Sequence, residues 1–212
     1  SITEIRGKLP ARIKDTKGRL STTPDLTCDV DRAILAAVAE YSRDRPREVV
    51  VQVTGTGSFD YLVSTFGAPA SGATASTQWA LDFSQLLEVV HPYVAADQAV
   101  EALDADAYRL IALPGGLTLR FLAGTPTAAQ VFLLRYTRPH ELTADRSSIP
   151  ATDDEALADL AASNCCRALE AAYTQQADNT IAVPAAGAFA DLDRAYSNAG
   201  RADYLFHSRR RF

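Results

Sequence analysis

The chain predicts an α+β fold: a helical bundle, made of two N-terminal and two C-terminal helices, with an inserted antiparallel β-module. Two observations carry that prediction. Apolar residues recur at three- and four-residue spacing near both ends, as on one face of a helix, whereas between them the spacing drops to two, as on one face of a strand. The changes of period fall at Arg45-Pro46 and after Thr143. They divide the chain into N-terminal helices over 1–46, a β-module over 47–143, and C-terminal helices with a basic and aromatic tail over 144–212.

Ile2, Ile5, Leu9 and Ile13 form the first helical stripe. Pro10 cannot donate a backbone hydrogen bond inside it, so a kink or two shorter pieces is expected. Val30, Ile34, Val38 and Tyr41 form the second, led by Asp29 and Asp31 and stopped before Pro46. From Arg47 the residues alternate. Val49, Val51 and Val53, then Gly55-Thr56-Gly57, then Phe59, Tyr61 and Val63 predict a β-hairpin. Residues 67–78 are small and polar and predict a long loop. Gln85 to His91 predicts a strand closed by Pro92. Tyr108 to Leu113 and Leu117 to Leu122 flank Pro114-Gly115-Gly116 as a second hairpin. Gln130 to Tyr136 is the last of about six strands, enough for a small sandwich or open barrel.

Thr152 to Ala177 is the most strongly patterned stretch. Thr152-Asp153-Asp154-Glu155 has the spacing of a capping box, in which the threonine oxygen and the glutamate carboxylate satisfy two orphan N–H groups. Those acids also suit the positive end of the helix dipole. Leu157, Leu160, Ala161, Cys165, Ala168, Leu169, Ala172 and Tyr173 follow as an apolar stripe. Ala156, Ala158, Ala162 and Ala171 add a thin face, open either to neighbouring helices of the same chain or to a second subunit. Phe189, Leu192, Tyr196 and Ala199 make a last stripe, with Pro184 suited to a first helical turn.

Composition narrows function mainly by exclusion. The hydrophobic share of 47% and charged share of 22% are those of a globular protein. No run approaches a membrane span, and no signal-peptide pattern is visible. The small first residue suggests a removed initiator methionine and a cytoplasmic product. Cys28, Cys165 and Cys166 form no C-x-x-C, so neither zinc nor a disulfide framework is indicated. The net charge of −5 argues against nucleic acid covering the whole surface. The start is nevertheless basic (Lys8, Arg12, Lys14, Lys17, Arg19, including every lysine in the chain), and so is the end, Arg209-Arg210-Arg211.

Chemistry-bearing patterns are sparse. His91, His140 and His207 have no partner at metal-ligand spacing, and the first two read as structural or exposed. Gly55-Thr56-Gly57-Ser58 lacks the Gly-Lys-Ser/Thr ending of a phosphate loop. Asp104 and Asp106 read as a solvated turn, and Asp153, Asp154 and Glu155 as helix-capping acids. No nucleophile elbow occurs and no nucleophile–base pair can be named. No catalytic residue, metal or cofactor is therefore expected, and the chain reads as a non-enzymatic assembly or binding protein. Tyr204, Phe206, Arg209, Arg210, Arg211 and Phe212 form the best candidate docking set, because Tyr and Arg are favoured interface anchors.

Several stretches together resemble the head-to-tail connector (adaptor) proteins of tailed bacteriophages. They are Ile5 to Leu9, Ala11 to Asp15, Asp29 to Ile34, Tyr41 to Arg47, Trp79 with Phe83-Ser84, Val89 to Pro92, Leu119 to Phe121, Tyr136 to Thr143, Ser148 to Pro150, the Thr152 helix and Asp178 to Ile181. The likeness lies in their order and spacing over nearly the whole chain. It departs at Ala185-Ala186-Gly187-Ala188, where the family's last helix is often rich in charge. The resemblance implies a structural virion protein of the neck, made in the host cytoplasm. Its copies would form a homo-oligomeric ring, commonly dodecameric, beneath the portal protein. The ring would extend the DNA channel without sequence-specific contact, hold a neck or tail protein below, and dock its C-terminal segment on the portal. Alternative readings are another neck or tail completion or terminator protein, or a monomeric β-type ligand module with Trp79, Phe83 and His91 lining its site.

Overall fold

A computed structural model describes residues 1–13, 20, 29–68, 77–93, 102–144, 146–175 and 190–201. The fold is α+β, with a helical unit interrupted by an antiparallel β unit. Ser1–Arg45 and His140–Phe212 form the first and Pro46–Pro139 the second. Each has its own apolar core. The insert thus ends at Pro139 and not at residue 143, the boundary expected from the period. The reason is local: the His140 N–H donates to Ser42 Oγ (2.9 Å), and Leu142 is buried in the helical core.

In the helical unit, α1 spans Ile2–Lys8 and is capped by Ser1. Pro10 falls just beyond it, and the N–H groups of Arg12 and Ile13 both return to Leu9 O (2.8 and 2.9 Å). The apolar stripe therefore survives the break, with Ile5 and Leu9 buried and Ile2 and Ile13 packed half-buried on the same core. Helix α2, Asp29–Asp44, buries Val30, Ile34, Val38 and Tyr41 as its spacing requires. Helix α3 is Asp154–Gln175, and α4 is helical over 190–201.

The capping box expected at Thr152 does not form. A 3-10 turn, Ala151–Asp153, precedes α3, with the Asp153 N–H donating to Pro150 O (2.9 Å). Thr152 Oγ1 donates to the neighbouring Asp153 carboxylate (2.9 Å), and Glu155 binds cations of the N-terminal segment. The stripe itself stands, with Leu157, Leu160, Ala161, Cys165 and Leu169 buried, except that Ala168 is exposed. The side chains of Ala172 and Tyr173, together with Phe189 and the region of Pro184, lie outside the described residues.

The β unit is built from β1 (Arg47–Thr54), β2 (Asp60–Leu62), β3 (Leu86–Val90), β4 (Tyr108–Leu113), β5 (Gly116–Phe121) and β6 (Val131–Arg138). They form two three-stranded antiparallel sheets, ordered β1-β6-β3 and β2-β5-β4, around one shared core. The predicted β4–β5 hairpin is present, turned by Pro114-Gly115. The predicted pairing of β1 with β2 is not. Residues 55–59 carry the chain from one sheet to the other, and Gly55 is packed too closely against Thr127 and Pro126 to accept a side chain. Alternation along β6 sends Phe132, Leu134 and Tyr136 into the core, where Phe132 meets Tyr61 and Phe121 edge-on at 5.1 and 5.3 Å. Of the predicted 67–78 loop, residues 69–76 lie outside the described residues. Its ends are tied by Thr77 Oγ1 donating to Gly67 O (2.9 Å) and by the Trp79 N–H donating to Phe66 O (3.1 Å).

Candidate functional site

The six candidate docking residues, Tyr204, Phe206, Arg209, Arg210, Arg211 and Phe212, lie outside the described residues, as do His207, Cys28, Lys14, Lys17 and Arg19. The structure does describe α4, which leads to them, and what holds it. Leu192 and Tyr196 pack half-buried on the helical core, and Tyr196 Oη donates to Arg12 O (3.2 Å). Ser163 on α3 donates to the Asp193 carboxylate, which Arg167 also reaches (3.1 Å), and Arg201 pairs with Glu40 of α2. Gly200 sits so close that a Cβ there would stand 2.8 Å from Ala156 O and 3.0 Å from Leu160 Cγ. Alanine favours an isolated helix over glycine by about 1 kcal/mol, yet here it would push α4 off α3. Gly200→Ala is expected to destabilise the helical unit by roughly 1–3 kcal/mol, as overpacking does. Urea denaturation followed by circular dichroism checks the sign.

The alanine face of α3 can be assigned. Ala156, Ala158 and Ala162 are fully buried within one chain, while Ala171 is exposed. The face packs the chain's own helices, so a contact between subunits would have to use another surface.

The basic N-terminal run is also accounted for as far as it is described. Arg6 on α1 makes a forked pair with Asp31 of α2 (2.7 and 2.8 Å). Lys8 pairs with Glu155 (2.6 Å), and Arg12 with Glu155 (2.5 Å) and Asp159 (2.6 Å) on α3. Four-residue spacing on each side, 8 and 12 against 155 and 159, aligns the two ladders. Asp153 is wholly buried, accepting from Tyr41 Oη (2.6 Å) and from Arg45. Of the three acids read as helix caps, Asp153 and Glu155 are therefore clamps within the helical unit, while Asp154 stays in the first turn of α3. The matched four-residue spacing was a signal for the Glu155 clamp; nothing local marked Asp153.

These clamps set a pH dependence. Hydrogen bonds from Lys8 and then Arg12 hold the Glu155 carboxyl below its ordinary value. Burial alone would lower the Arg12 guanidinium, but its bonds to Asp159 and Glu155 outweigh that and raise it. A carboxylate with a depressed folded pKa stabilises the fold fully above its unfolded pKa, about 4.3. The contribution disappears as pH falls through the lower folded value. Acid titration of helicity should show this loss, and Glu155→Gln should flatten that part of the curve.

The two described histidines serve the framework. His140 Nδ1 lies 3.1 Å from both Ser148 O and Ser148 Oγ. A carbonyl only accepts, so Nδ1 carries the hydrogen and is not a base toward the serine. The ring also meets Tyr41 edge-on at 5.1 Å. His91 Nε2 lies 3.2 Å from Gln130 Oε1, and its ring is 6.3 Å from Phe121. Trp79 is buried beside Tyr136, whose hydroxyl is pushed up to about 12 by burial, with Arg138 opposing. Gln130 and Tyr136 are six residues apart along an extended segment, roughly 20 Å. Trp79 and His91 thus sit toward opposite ends of β6 and, with Phe83, do not converge on one ligand site. Asp104 and Asp106 are exposed around a short 3-10 turn, and no metal-ligand cluster occurs among the described residues. Gly55 to Ser58 forms the crossing between sheets and opens no helix.

The remaining surface is distinguished by apolar exposure. Val50, Phe59, Leu62, Leu81, Leu87 and Leu122 are exposed on the β unit, against Leu35 alone among large exposed apolar residues described on the helical unit. No described helix is long and apolar enough to cross a membrane. No family model matches the chain, and no curated protein matches it.

Proposed function

We propose that the chain is a structural virion protein, a head-to-tail connector (adaptor) whose copies form a ring beneath the portal of a tailed bacteriophage. The ring extends the DNA channel and joins the capsid to a neck or tail protein. The observation that carries this reading is the order and spacing of the connector-like segments over nearly the whole chain, from Ile5 to Ile181. An α+β fold whose helical unit is split by a β insert supports that order for the segments that lie among the described residues.

The charge arrangement supports it. A channel through which DNA slides is served by weak phosphate affinity, because each Lys or Arg contact adds salt-dependent binding. The subunit carries a net charge of −5, and Arg6, Lys8, Arg12, Arg45, Arg120 and Arg135 are all engaged by carboxylates of the same chain. Burial of the α3 alanine face assigns that face to folding and leaves subunit contact to other surfaces.

Electron microscopy of the purified protein mixed with its portal tests the reading. Rings seated below the portal clip are expected, and their absence would remove the assignment. Deleting Ser208 to Phe212 is expected to weaken portal binding at least ~10-fold, the loss typical of one or two interface anchors, with helicity unchanged. Undiminished binding would mean that Arg209, Arg210, Arg211 and Phe212 do not dock on the portal.

A further inference from the structure

We propose that copies of this chain join through their β units, the β1 edge of one pairing in parallel with the β4 edge of the next. Among the described residues, β1 hydrogen-bonds only to β6 and β4 only to β5, which leaves a long open edge on each sheet; the other edge of the second sheet, β2, is only three residues long. The outer side of β3, by contrast, is covered where Leu103 N–H donates to Val89 O (2.8 Å). Open edges are normally guarded by proline, bulges or charge, because their unpaired backbone groups template another strand. The eight residues of β1 contain four valines and no proline, and its register with β6 runs without a shift.

The two edges fit each other. On β1, Val49 and Val51 face the core while Glu48 and Val50 face out. On β4, Leu110 packs on the core and Arg109 is exposed with no ion pair among the described residues. Parallel alignment of Arg47 with Tyr108 uses all six residues of β4. It sets Glu48 beside Arg109, Val50 beside Ile111 and Val49 beside Leu110, so core-facing and outward residues stay in phase over these three pairs, with the small, exposed Ala112 falling beside Val51. An antiparallel alignment with Glu48 opposite Arg109 overlaps only three residues. Glu48 already accepts from Arg135 of β6 (3.0 Å), and Arg109 of the next copy would continue an alternation of sign across the joined sheet. Because β1 meets β4 and not itself, each added copy leaves one edge of each kind open, which is the head-to-tail contact that closes rings. This deepens the ring reading and rests on it for closure.

The test is cysteine cross-linking of the full chain, alone at high concentration and with portal. Glu48→Cys/Arg109→Cys is expected to give a covalent ladder on oxidation, with neither single variant nor the wild type doing so. Arg109→Glu should weaken self-association about tenfold, as rim charge repulsion does, and Glu48→Arg/Arg109→Glu should restore it. A ladder from Glu48→Cys alone would indicate β1–β1 pairing and overturn the proposal. Rings on the portal with no 48–109 ladder would overturn it while leaving the connector reading intact. A ladder without portal binding would retain the edge pairing and remove the connector reading.

Discussion

Asp153→Ala is expected to cost the helical unit about 3–5 kcal/mol, the loss typical when one partner of a buried ion pair is removed. Asp153 is completely buried at the start of α3, and its carboxylate gathers Tyr41 Oη, Arg45 and Thr152 Oγ1. Removing it leaves a guanidinium and a phenol hydroxyl facing each other with no acceptor between them. The Arg45 guanidinium also lies over the Tyr41 ring, 5.8 Å from its centroid, so the two groups that lose their acceptor are in contact. Tyr41→Phe keeps the ring and the ion pair, and should cost only about 1–2 kcal/mol, one buried hydrogen bond. Denaturation followed at 222 nm measures both. Equal costs for the two variants would show that Asp153 acts through Tyr41 alone.

Phe132→Ala is the corresponding change in the β unit, with an expected cost of roughly 3–5 kcal/mol. Phe132 is fully buried on the central strand of its sheet and completes an edge-to-face cluster with Tyr61 and Phe121. Its removal leaves a cavity that the facing sheet can close only by shifting. The chain's single tryptophan, Trp79, is buried in that same core. Its fluorescence should therefore report loss of the β unit while the helical signal at 222 nm persists. Asp153→Ala should do the reverse. The two apolar clusters share no residue, and variants at Phe132 and Asp153 should be additive, as sites with no shared partners usually are.

Elements whose signal is local were legible in the sequence. The stripes of α2 and α3 are helical because burial repeats every three or four residues, and β4–β5 is a hairpin because Pro114-Gly115 joins two alternating runs. Long-range choices were not legible. Gly55-Thr56-Gly57 has hairpin chemistry, but β1 finds its partner in β6, some eighty residues later, where Val49, Val51 and Val53 lie beside the buried Tyr136, Leu134 and Phe132. Thr152 and Glu155 have capping-box spacing, but Lys8 and Arg12 offer Glu155 full charges where the cap offered an amide. Trp79, Phe83 and His91 read as a trio because they are near in sequence, and β3 separates them. The docking set Tyr204 to Phe212 lies outside the described residues, so its assignment still rests on sequence.

The chain leaves the helical unit after Arg45 and re-enters at His140, where the His140 N–H meets Ser42 Oγ at 2.9 Å. In the β unit, Arg47 and Arg138 are register partners at the first rung of a ladder. Each unit therefore presents its two cut ends side by side. Residues 46–139 make a cassette: a short glycine–serine bridge from Arg45 to His140 should leave a self-sufficient helical protein, and the excised strands should fold as a separate polypeptide. An unrelated domain with adjacent termini could be spliced into the same gap, which makes the helical unit a socket for exchanged inserts.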